Sequence, residues 1–196
     1  VWMVRMIATA MRKGTYQGEL QIYCHQGLTD TISTICRLTM QGKFFKMIGS
    51  RIFLVPVEDG ETVHILDYDV TFFDILSTKA RQFGFTTVLK NGCRFTCAGD
   101  EPYNPDCRAY VEGSNWLLHE AFCLYRDREI FAPYEKHHST VKEACELAEE
   151  LNIPNLVLWH TEDKQLAQRK TLYIKEGRKY YHGNLLVPED REIIVL

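Results

Sequence analysis

The fold of this protein is decided by a stretch in the second half of the chain, KHHSTVKEACELAEELNIPNLVLWHTED, residues 136–163. Thr140 and Glu143 form an S/T-x-x-E capping box, which predicts that a helix begins there. The apolar residues that follow fall on one helical stripe: Val141, Ala144, Cys145, Ala148 and Leu151. Pro154 ends the helix, and residues 155–160, NLVLWH, form an apolar run typical of a strand buried on both faces. The stretch therefore predicts a helix and a buried strand with histidines at both ends of the unit.

A second apolar strand is predicted just before this unit, at residues 115–122, NWLLHEAF. A strand, a helix and a second strand with short joins form a right-handed crossover, so the two strands should be parallel. Parallel strands share a carboxyl end, and open α/β sheets hold their ligands at that end. The first strand ends near Glu120, and the second ends at His160.

Two further polar residues are expected at the same edge. Strand 93–98 leads into Gly99 and Asp100, and His138 lies just before the N-terminus of the helix. We therefore expect Asp100, Glu120, His138 and His160 to meet at one edge of the sheet. A single histidine at a strand end is more often an ordinary core or surface residue. Imidazoles and carboxylates together suit zinc, manganese or iron, although two ligands alone do not make a metal site.

The composition describes an ordinary globular chain. Of its 196 residues, 45% are hydrophobic and 25% charged, and the net charge of −3 argues against a generally basic nucleic-acid surface. No apolar run approaches the roughly 20 residues of a membrane span, and the start lacks the order of a signal peptide. The seven cysteines contain no C-x-x-C pair, which favours reduced, buried thiols and a cytoplasmic protein.

The remaining pattern predicts one α/β domain over residues 1–196, antiparallel early and β-α-β late. It comprises a helix at the start, a strand at 19–25, a helix at 31–40 capped by Thr29 or Asp30, a hairpin with a type I′ turn at Asn91-Gly92, and a last strand at 192–196. The first helix has no capping residue, so we expect a longer parent protein whose further segment, or a second copy of the chain, covers apolar faces.

Four motifs occur in an order that resembles a known family: GDE (99–101), LLHEAF (117–122), HHST (137–140) and LVLWHTED (156–163). Together they resemble the C-terminal half of metallo-β-lactamase-fold hydrolases, and the ribonuclease Z-like branch in particular. The opening helix resembles the one that follows that family's H-x-H-x-D-H loop. The resemblance implies an αββα sandwich that lacks its N-terminal strands here.

The resemblance also implies chemistry. In that family two metal ions, commonly zinc, activate a bridging water that attacks a phosphodiester; manganese and iron are alternatives. By motif, Asp100 would be the bridging carboxylate and His160 a terminal ligand. Glu120 and His138 would be the catalytic pair that stabilises charge and handles the leaving-group proton. Ser139 and Thr140, at the helix N-terminus, would bind the phosphate.

Several positions depart from the family pattern. Residues 1–196 contain no H-x-H-x-D-H, Leu76 stands where a further ligand histidine is expected, and Phe122 replaces a threonine. With Asp100 and His160 as the surviving ligands, we expect little bound zinc. The short span between Leu76 and Asp100 also has no room for the arm that grips tRNA.

Two functions follow as hypotheses. The first is a metal-dependent hydrolase, either a phosphodiesterase or a ribonuclease Z-like enzyme. Its substrate would be a small phosphodiester or RNA, and no membrane partner is expected. The alternative is a degenerate, non-catalytic member that binds a ligand or a partner. The basic segment 164–181 could contact a phosphate backbone, but a solvated helix with inward-packed tyrosines is the favoured interpretation.

Overall fold

The computed structural model describes all residues from 1 to 196. Contacts between residues divide the chain into two compact units, Val1–Glu58 and Asp59–Leu196, and each is described by itself. The mixed α/β content predicted from the sequence is present in both units.

The first unit contains three helices and two strands: α1 (Trp2–Lys13), β1 (Leu20–Cys24), α2 (Gln26–Thr39), α3 (Gly42–Phe45) and β2 (Ile52–Pro56). β1 and β2 pair in parallel. Helix α1 buries Val4, Ala8 and Met11, whose spacing of three to four residues places them on one face. Trp2, by contrast, is 72% exposed. The covering of this apolar surface by another segment or copy stays a prediction.

The start of α2 differs from the sequence prediction. The helix begins at Gln26, and His25 caps it by accepting a hydrogen bond at Nδ1 from the N–H of Leu28, at 3.3 Å. Thr29 and Asp30 therefore lie inside the helix rather than at its cap. An imidazole nitrogen with a free lone pair can take the capping role that short hydroxyl or carboxyl side chains usually fill.

The second unit is built on a seven-stranded sheet with strands in chain order. The strands are β3 (Thr62–Ile65), β4 (Tyr68–Asp74), β5 (Phe83–Val88), β6 (Arg94–Cys97), β7 (Trp116–Glu120), β8 (Asn155–Trp159) and β9 (Asn184–Leu186). Its helices are α4 (Arg108–Val111), α5 (Arg128–Phe131), α6 (Val141–Glu150) and α7 (Leu166–Gly177). Pairing is antiparallel from β3 to β6 and parallel from β6 to β9.

The parallel half of the sheet holds the main core. Leu156, Val157 and Leu158 of β8 are all buried, as the uninterrupted apolar run predicted. The predicted parallel pairing of β7 with β8 is observed, and α6 forms the crossover between them with Thr140 and Glu143 in the expected capping box.

The hairpin after β5 is present, but its predicted turn type is wrong. The last paired residues are Val88 and Arg94, and the N–H of Gly92 donates to the carbonyl of Leu89 at 2.8 Å. Gly92 has a φ of 82°, whereas Asn91 is not in the left-handed region that a type I′ turn requires of both central residues. The N–H of Leu89 donates to the carbonyl of Cys93 at 2.8 Å, so the loop has three residues, 90–92, and the last of them is in the left-handed region.

The predicted strand at 192–196 is also wrong. The strand beside β8 is β9, in which Leu185 is 3% exposed, whereas Ile193 and Val195 are 88% and 87% exposed. The earlier segment buries Leu185 in the core and so occupies this edge of β8. No helix combines the length and the apolar character needed to cross a membrane. The seven cysteines are free, and five of them are buried, in keeping with a packing role.

Candidate active site

The carboxyl ends of three parallel strands bring the candidate residues to one edge of the sheet. Glu120 is the last residue of β7, His160 directly follows β8, and Asp100 follows β6 after a short turn. Gly99 makes that turn with a φ of 85°, and a side chain there would meet Ile75 Cδ1 at 2.8 Å. The glycine thus allows the chain to turn closely against Ile75 before Asp100.

Glu120 is fully buried and fixed through one of its two carboxylate oxygens. Its Oε1 accepts hydrogen bonds from the Ser139 hydroxyl, at 2.7 Å, and from the Ser139 backbone N–H. Its Oε2 has no hydrogen-bond partner and lies 3.5 Å from Nδ1 of His138. Ser139 therefore orients the carboxylate so that its free oxygen faces the imidazole.

His138 is held by ring contacts on two sides. Its ring stacks on Phe122 with centroids 5.0 Å apart and an interplanar angle of 23°, and it lies 5.0 Å from the ring of His160. His138 is only 8% exposed. Phe122, the residue that departs from the family motif, thus supports the orientation of His138.

Lys79 is a member of the site that sequence reasoning missed. Its Nζ lies 3.5 Å from Nε2 of His138 and 3.8 Å from Oε1 of the buried Glu101. An ammonium group can only donate, so Nε2 of the neutral imidazole is the acceptor and Nδ1, which faces Glu120, carries the proton. Lys79 lies in the loop between β4 and β5, where the sequence shows no helix or strand periodicity that would mark a functional residue. Only the tertiary fold brings it to His138.

Burial dominates the electrostatics of the pair. The pKa of Glu120 is raised to about 7, chiefly by burial and to a smaller extent by the negative charge of Asp100, against the opposing hydrogen bonds from Ser139 and the charge of Lys79. Burial also lowers the pKa of His138, with Lys79 and His160 acting in the same direction and Asp100 opposing them. Burial thus moves the pKa of the carboxyl up and that of the imidazole down, which brings the proton affinities of the two groups closer together.

The donor set for a metal ion is incomplete. Oδ1 of Asp100 is buried without a hydrogen-bond partner, as a ligand oxygen would be, and His160, which directly follows β8, is exposed. No group of three or more histidine, cysteine, aspartate or glutamate side chains is placed to hold a metal ion. Catalytic zinc usually takes three protein ligands, so these residues by themselves do not fit the two-metal centre that the resemblance implies.

The two predicted phosphate-binding residues are engaged with the protein itself. The donors of Ser139 bind Glu120, and the N–H of Thr140 donates to Oε2 of Glu143 at 2.8 Å, as does its hydroxyl. Both residues are buried. Their structural role is clear, and phosphate binding by them stays a prediction.

Two other sequence expectations can be placed. Leu76 is 45% exposed and lines a cavity of about 260 Å³ together with Thr78 and His137. Its assignment to a ligand position stays a prediction. In the basic segment, Arg169 is buried and donates to Thr161 Oγ1 at 2.8 Å, and Tyr173 is 1% exposed. These contacts support the packing interpretation of that helix.

Comparison with known proteins decides the family. The family model described as "Beta-lactamase superfamily domain" matches residues 7–161. This chain belongs to that family. The resemblance and the fold class predicted from the sequence motifs are thereby confirmed.

Relatives within the family share modest identity with this chain. The ribonuclease Z of Oceanobacillus iheyensis is 34% identical over 97 residues, which is 50% of this chain and 31% of that protein. The ribonuclease Z of Thermococcus sibiricus is 27% identical over 107 residues, or 55% of this chain and 33% of that protein. The chain thus spans about a third of the length of each of these two relatives.

Solved structures agree on the fold. The metallo-beta-lactamase fold protein YhfI from Bacillus subtilis superposes with a TM-score of 0.71 at 16% identity, covering 95% of this chain and 68% of that one. Human tRNase Z, short form, gives a TM-score of 0.61 at 21% identity, covering 90% of this chain and 68% of that one.

Proposed function

We propose that this chain carries the proton-handling part of a phosphodiester hydrolase of the ribonuclease Z-like branch, with a small phosphodiester or RNA as substrate. The observation that supports the proposal is the buried Glu120–His138 pair, with Oε2 and Nδ1 3.5 Å apart. A carboxylate fixed by Ser139 and aimed at Nδ1 of the imidazole leaves Nε2 to interact with a reacting group, in place of its 3.5 Å contact with Lys79.

The roles in the proposal follow from the geometry of the pair. Nε2 of His138 takes up the proton released by the attacking water and passes it to the oxygen of the departing alcohol, and Glu120 stabilises the intervening imidazolium through Nδ1. Lys79, next to Nε2, contributes positive charge where a phosphate oxygen would be stabilised. Asp100 and His160 remain the candidate metal ligands; a zinc site there needs at least one more ligand than these residues supply.

The proposal is tested by hydrolysis of bis-p-nitrophenyl phosphate. Because Asp100 and His160 alone hold a metal weakly, we expect turnover only with added zinc in excess. This turnover should be lost with Glu120→Gln and retained with Glu149→Gln, a matched change in an exposed glutamate that also pairs with a histidine. Assays with and without added zinc, and after treatment with a chelator, measure metal dependence. Equal turnover by the two variants would contradict the proposal.

The alternative, a non-catalytic member that binds a ligand or partner, is not favoured by the comparisons, because the relatives named above are ribonucleases Z. RNA as the substrate is the finer part of the proposal. It is tested by offering a precursor tRNA and a short unstructured RNA to the same variants.

A further inference from the structure

Glu101 is a buried carboxylate, directly after Asp100, that the proposed proton transfer does not use. It is only 5% exposed. Its Oε1 accepts a hydrogen bond from the Ser77 hydroxyl at 2.7 Å, and its Oε2 accepts one from the backbone N–H of Thr78 at 3.3 Å. The ammonium of Lys79 lies 3.8 Å from Oε1. Three consecutive residues of the loop between β4 and β5 are therefore attached to this one carboxylate.

The hydroxyl of Ser77 also fixes the course of this loop. While it donates to Glu101, its oxygen accepts hydrogen bonds from the backbone N–H groups of Lys79, at 3.2 Å, and Ala80, at 3.3 Å. Serine hydroxyls commonly hold turns through such bonds to the backbone that follows them. Residues 77–80, here called the Lys79 loop, thus form a turn that is built on Ser77 and anchored to Glu101.

A second attachment holds the Lys79 loop to the segment that carries His138. Oγ1 of Thr78 lies 2.9 Å from Nδ1 of the adjacent His137. The loop is therefore fixed on one side next to Asp100 and on the other side next to His138. Between these attachments the ammonium of Lys79 lies 3.5 Å from Nε2 of His138, and 37% of the lysine side chain stays exposed.

We propose that Glu101 positions the Lys79 loop so that the Lys79 ammonium binds the phosphate group of the substrate beside Nε2 of His138. The inference rests on the proposed function and adds to it a positioning residue and a phosphate contact that needs no metal. In the proposed reaction the departing oxygen lies at hydrogen-bond distance from Nε2, about 2.7–3.2 Å. An ammonium 3.5 Å from the same nitrogen is then within reach of another oxygen of that phosphate.

Glu101 has two opposing effects on phosphate binding. Its negative charge, 3.8 Å from the ammonium, repels a phosphate. Its contacts, however, restrict a lysine side chain that has many rotamers, and ordering the chain before the ligand arrives removes part of the entropic cost of binding. We expect positioning to outweigh repulsion, since the donors of the loop already compensate part of the charge of the carboxylate.

The binding of inorganic phosphate tests the assignment without turnover. Titration followed by ³¹P NMR, with a chelator present, measures the affinity of the metal-free protein. We expect Lys79→Met to weaken binding by about tenfold, the effect typical of losing one charge-assisted hydrogen bond, and Lys79→Arg to retain most of it. Lys136→Met is the matched control. The Lys136 ammonium lies over the Phe122 ring that stacks on His138, but Glu101 does not hold it, and its loss should change the affinity by less than about twofold.

Glu101→Gln separates positioning from charge. The glutamine keeps the size of the side chain and an oxygen that accepts from Ser77, but it no longer attracts the ammonium. Positioning predicts that phosphate binds about threefold more weakly, whereas repulsion alone predicts tighter binding. In a Lys79→Met background the same substitution should no longer weaken binding, because Glu101 acts through Lys79. Glu112→Gln, which removes the same charge from an exposed ion pair with Arg108, is the control and should change nothing.

Steady-state kinetics with zinc in excess provides a second measurement. For bis-p-nitrophenyl phosphate, Glu101→Gln should raise KM more than it lowers kcat, because the lost contact binds the phosphate. A substitution that merely unfolds part of the protein lowers the apparent kcat and leaves KM unchanged. Ser77→Ala removes the hydroxyl that joins the loop to the carboxylate and should act in the same direction, which keeps the test decisive if Glu101→Gln fails to fold.

The outcomes separate this inference from the proposed function. Phosphate binding that requires Lys79 and is weakened by Glu101→Gln, in a protein that does not hydrolyse bis-p-nitrophenyl phosphate, overturns the proposed function alone. Phosphate bound as tightly or more tightly by Glu101→Gln, or unchanged in Lys79→Met, overturns the positioning assignment. An absence of phosphate binding by the unmodified, metal-free protein has the same consequence.

Discussion

Two glutamate–histidine pairs in this protein have the same chemical groups and opposite properties. In the first, Glu120 is fully buried and lies 3.5 Å from His138. In the second, Glu149 at the end of α6 accepts from Nδ1 of His182 at 2.9 Å, and both side chains are largely exposed. Burial raises the pKa of Glu120 to about 7, whereas hydrogen bonds from His182 lower the pKa of Glu149.

The difference shows that a pair of residue types does not define a proton-transfer site. Water screens the exposed pair, so its carboxylate stays ionised and the contact has little effect on chemistry or stability. Desolvation and a fixed orientation place the buried pair near the pH at which it can exchange protons.

The largest contrast should appear in catalysis. His138→Gln removes the group that exchanges the proton, so hydrolysis of bis-p-nitrophenyl phosphate should fall by roughly 10²–10⁴-fold. His182→Gln makes the same change in the exposed pair and should leave the rate unchanged. Steady-state kinetics on both variants provides the measurement, and a similar loss in both would remove the distinction between the pairs.

The next contrast concerns how stability depends on pH. With a pKa of about 7 when folded and 4.5 as the ordinary value, Glu120 keeps its proton in the folded state while the unfolded chain has lost it. The proton therefore adds to the free energy of unfolding below pH 4.5, and this contribution is lost as the pH rises through about 7. Glutamine has no proton to lose, so Glu120→Gln avoids this loss. The stability of the variant relative to the unmodified protein should therefore be about 3 kcal/mol higher at pH 8 than at pH 4.

Glu149→Gln is the control with the opposite sign. A carboxylate whose pKa is lowered on folding adds stability above its ordinary pKa, so this substitution should slightly destabilise the protein at pH 8 and have no effect in acid. Urea unfolding at both pH values measures the two variants. The same sign for both substitutions would contradict the account of the buried pair.

A third contrast lies in the groups that hold each carboxylate. A backbone N–H binds both glutamates, but only Glu120 also receives a side-chain hydroxyl, from Ser139 at 2.7 Å. Ser139→Ala should therefore destabilise the protein at pH 8 by about 2 kcal/mol, the usual cost of losing a hydrogen bond to a charged group, and by less in acid. Ser114→Ala, which removes another buried hydroxyl, at 2.7 Å from Thr96, is the control and should show no such pH dependence.

The smallest expected effect is electrostatic. Lys79 lowers the pKa of His138, so Lys79→Met should raise it, because a positive charge no longer opposes protonation of the ring. The ring of His182, which contacts Glu149 and not Lys79, is the internal reference, and its resonances should not respond to the substitution. NMR titration of the imidazole protons follows both rings in one experiment, and an unchanged pKa at His138 would mean that Lys79 does not act on it.

The sequence by itself determined the unit that organises the site. The capping box at Thr140, the stripe along α6, Pro154 and the apolar run of β8 are local patterns, and together they fix a β-α-β unit with parallel strands. Because parallel strands share a carboxyl end, this was enough to predict that Glu120 and His160 lie at one edge.

Only the tertiary structure decided which atoms meet there. The contact of Lys79 with His138 joins residues far apart in the chain, and so does the hydrogen bond from Ser77 to Glu101. Neither leaves a periodic signal in the sequence. The cap at His25 was likewise missed, because a histidine is rarely a helix cap and its role depends on one lone pair. Local patterns set where the backbone runs, whereas desolvation and long-range contacts set which of two chemically identical glutamate–histidine pairs can exchange a proton.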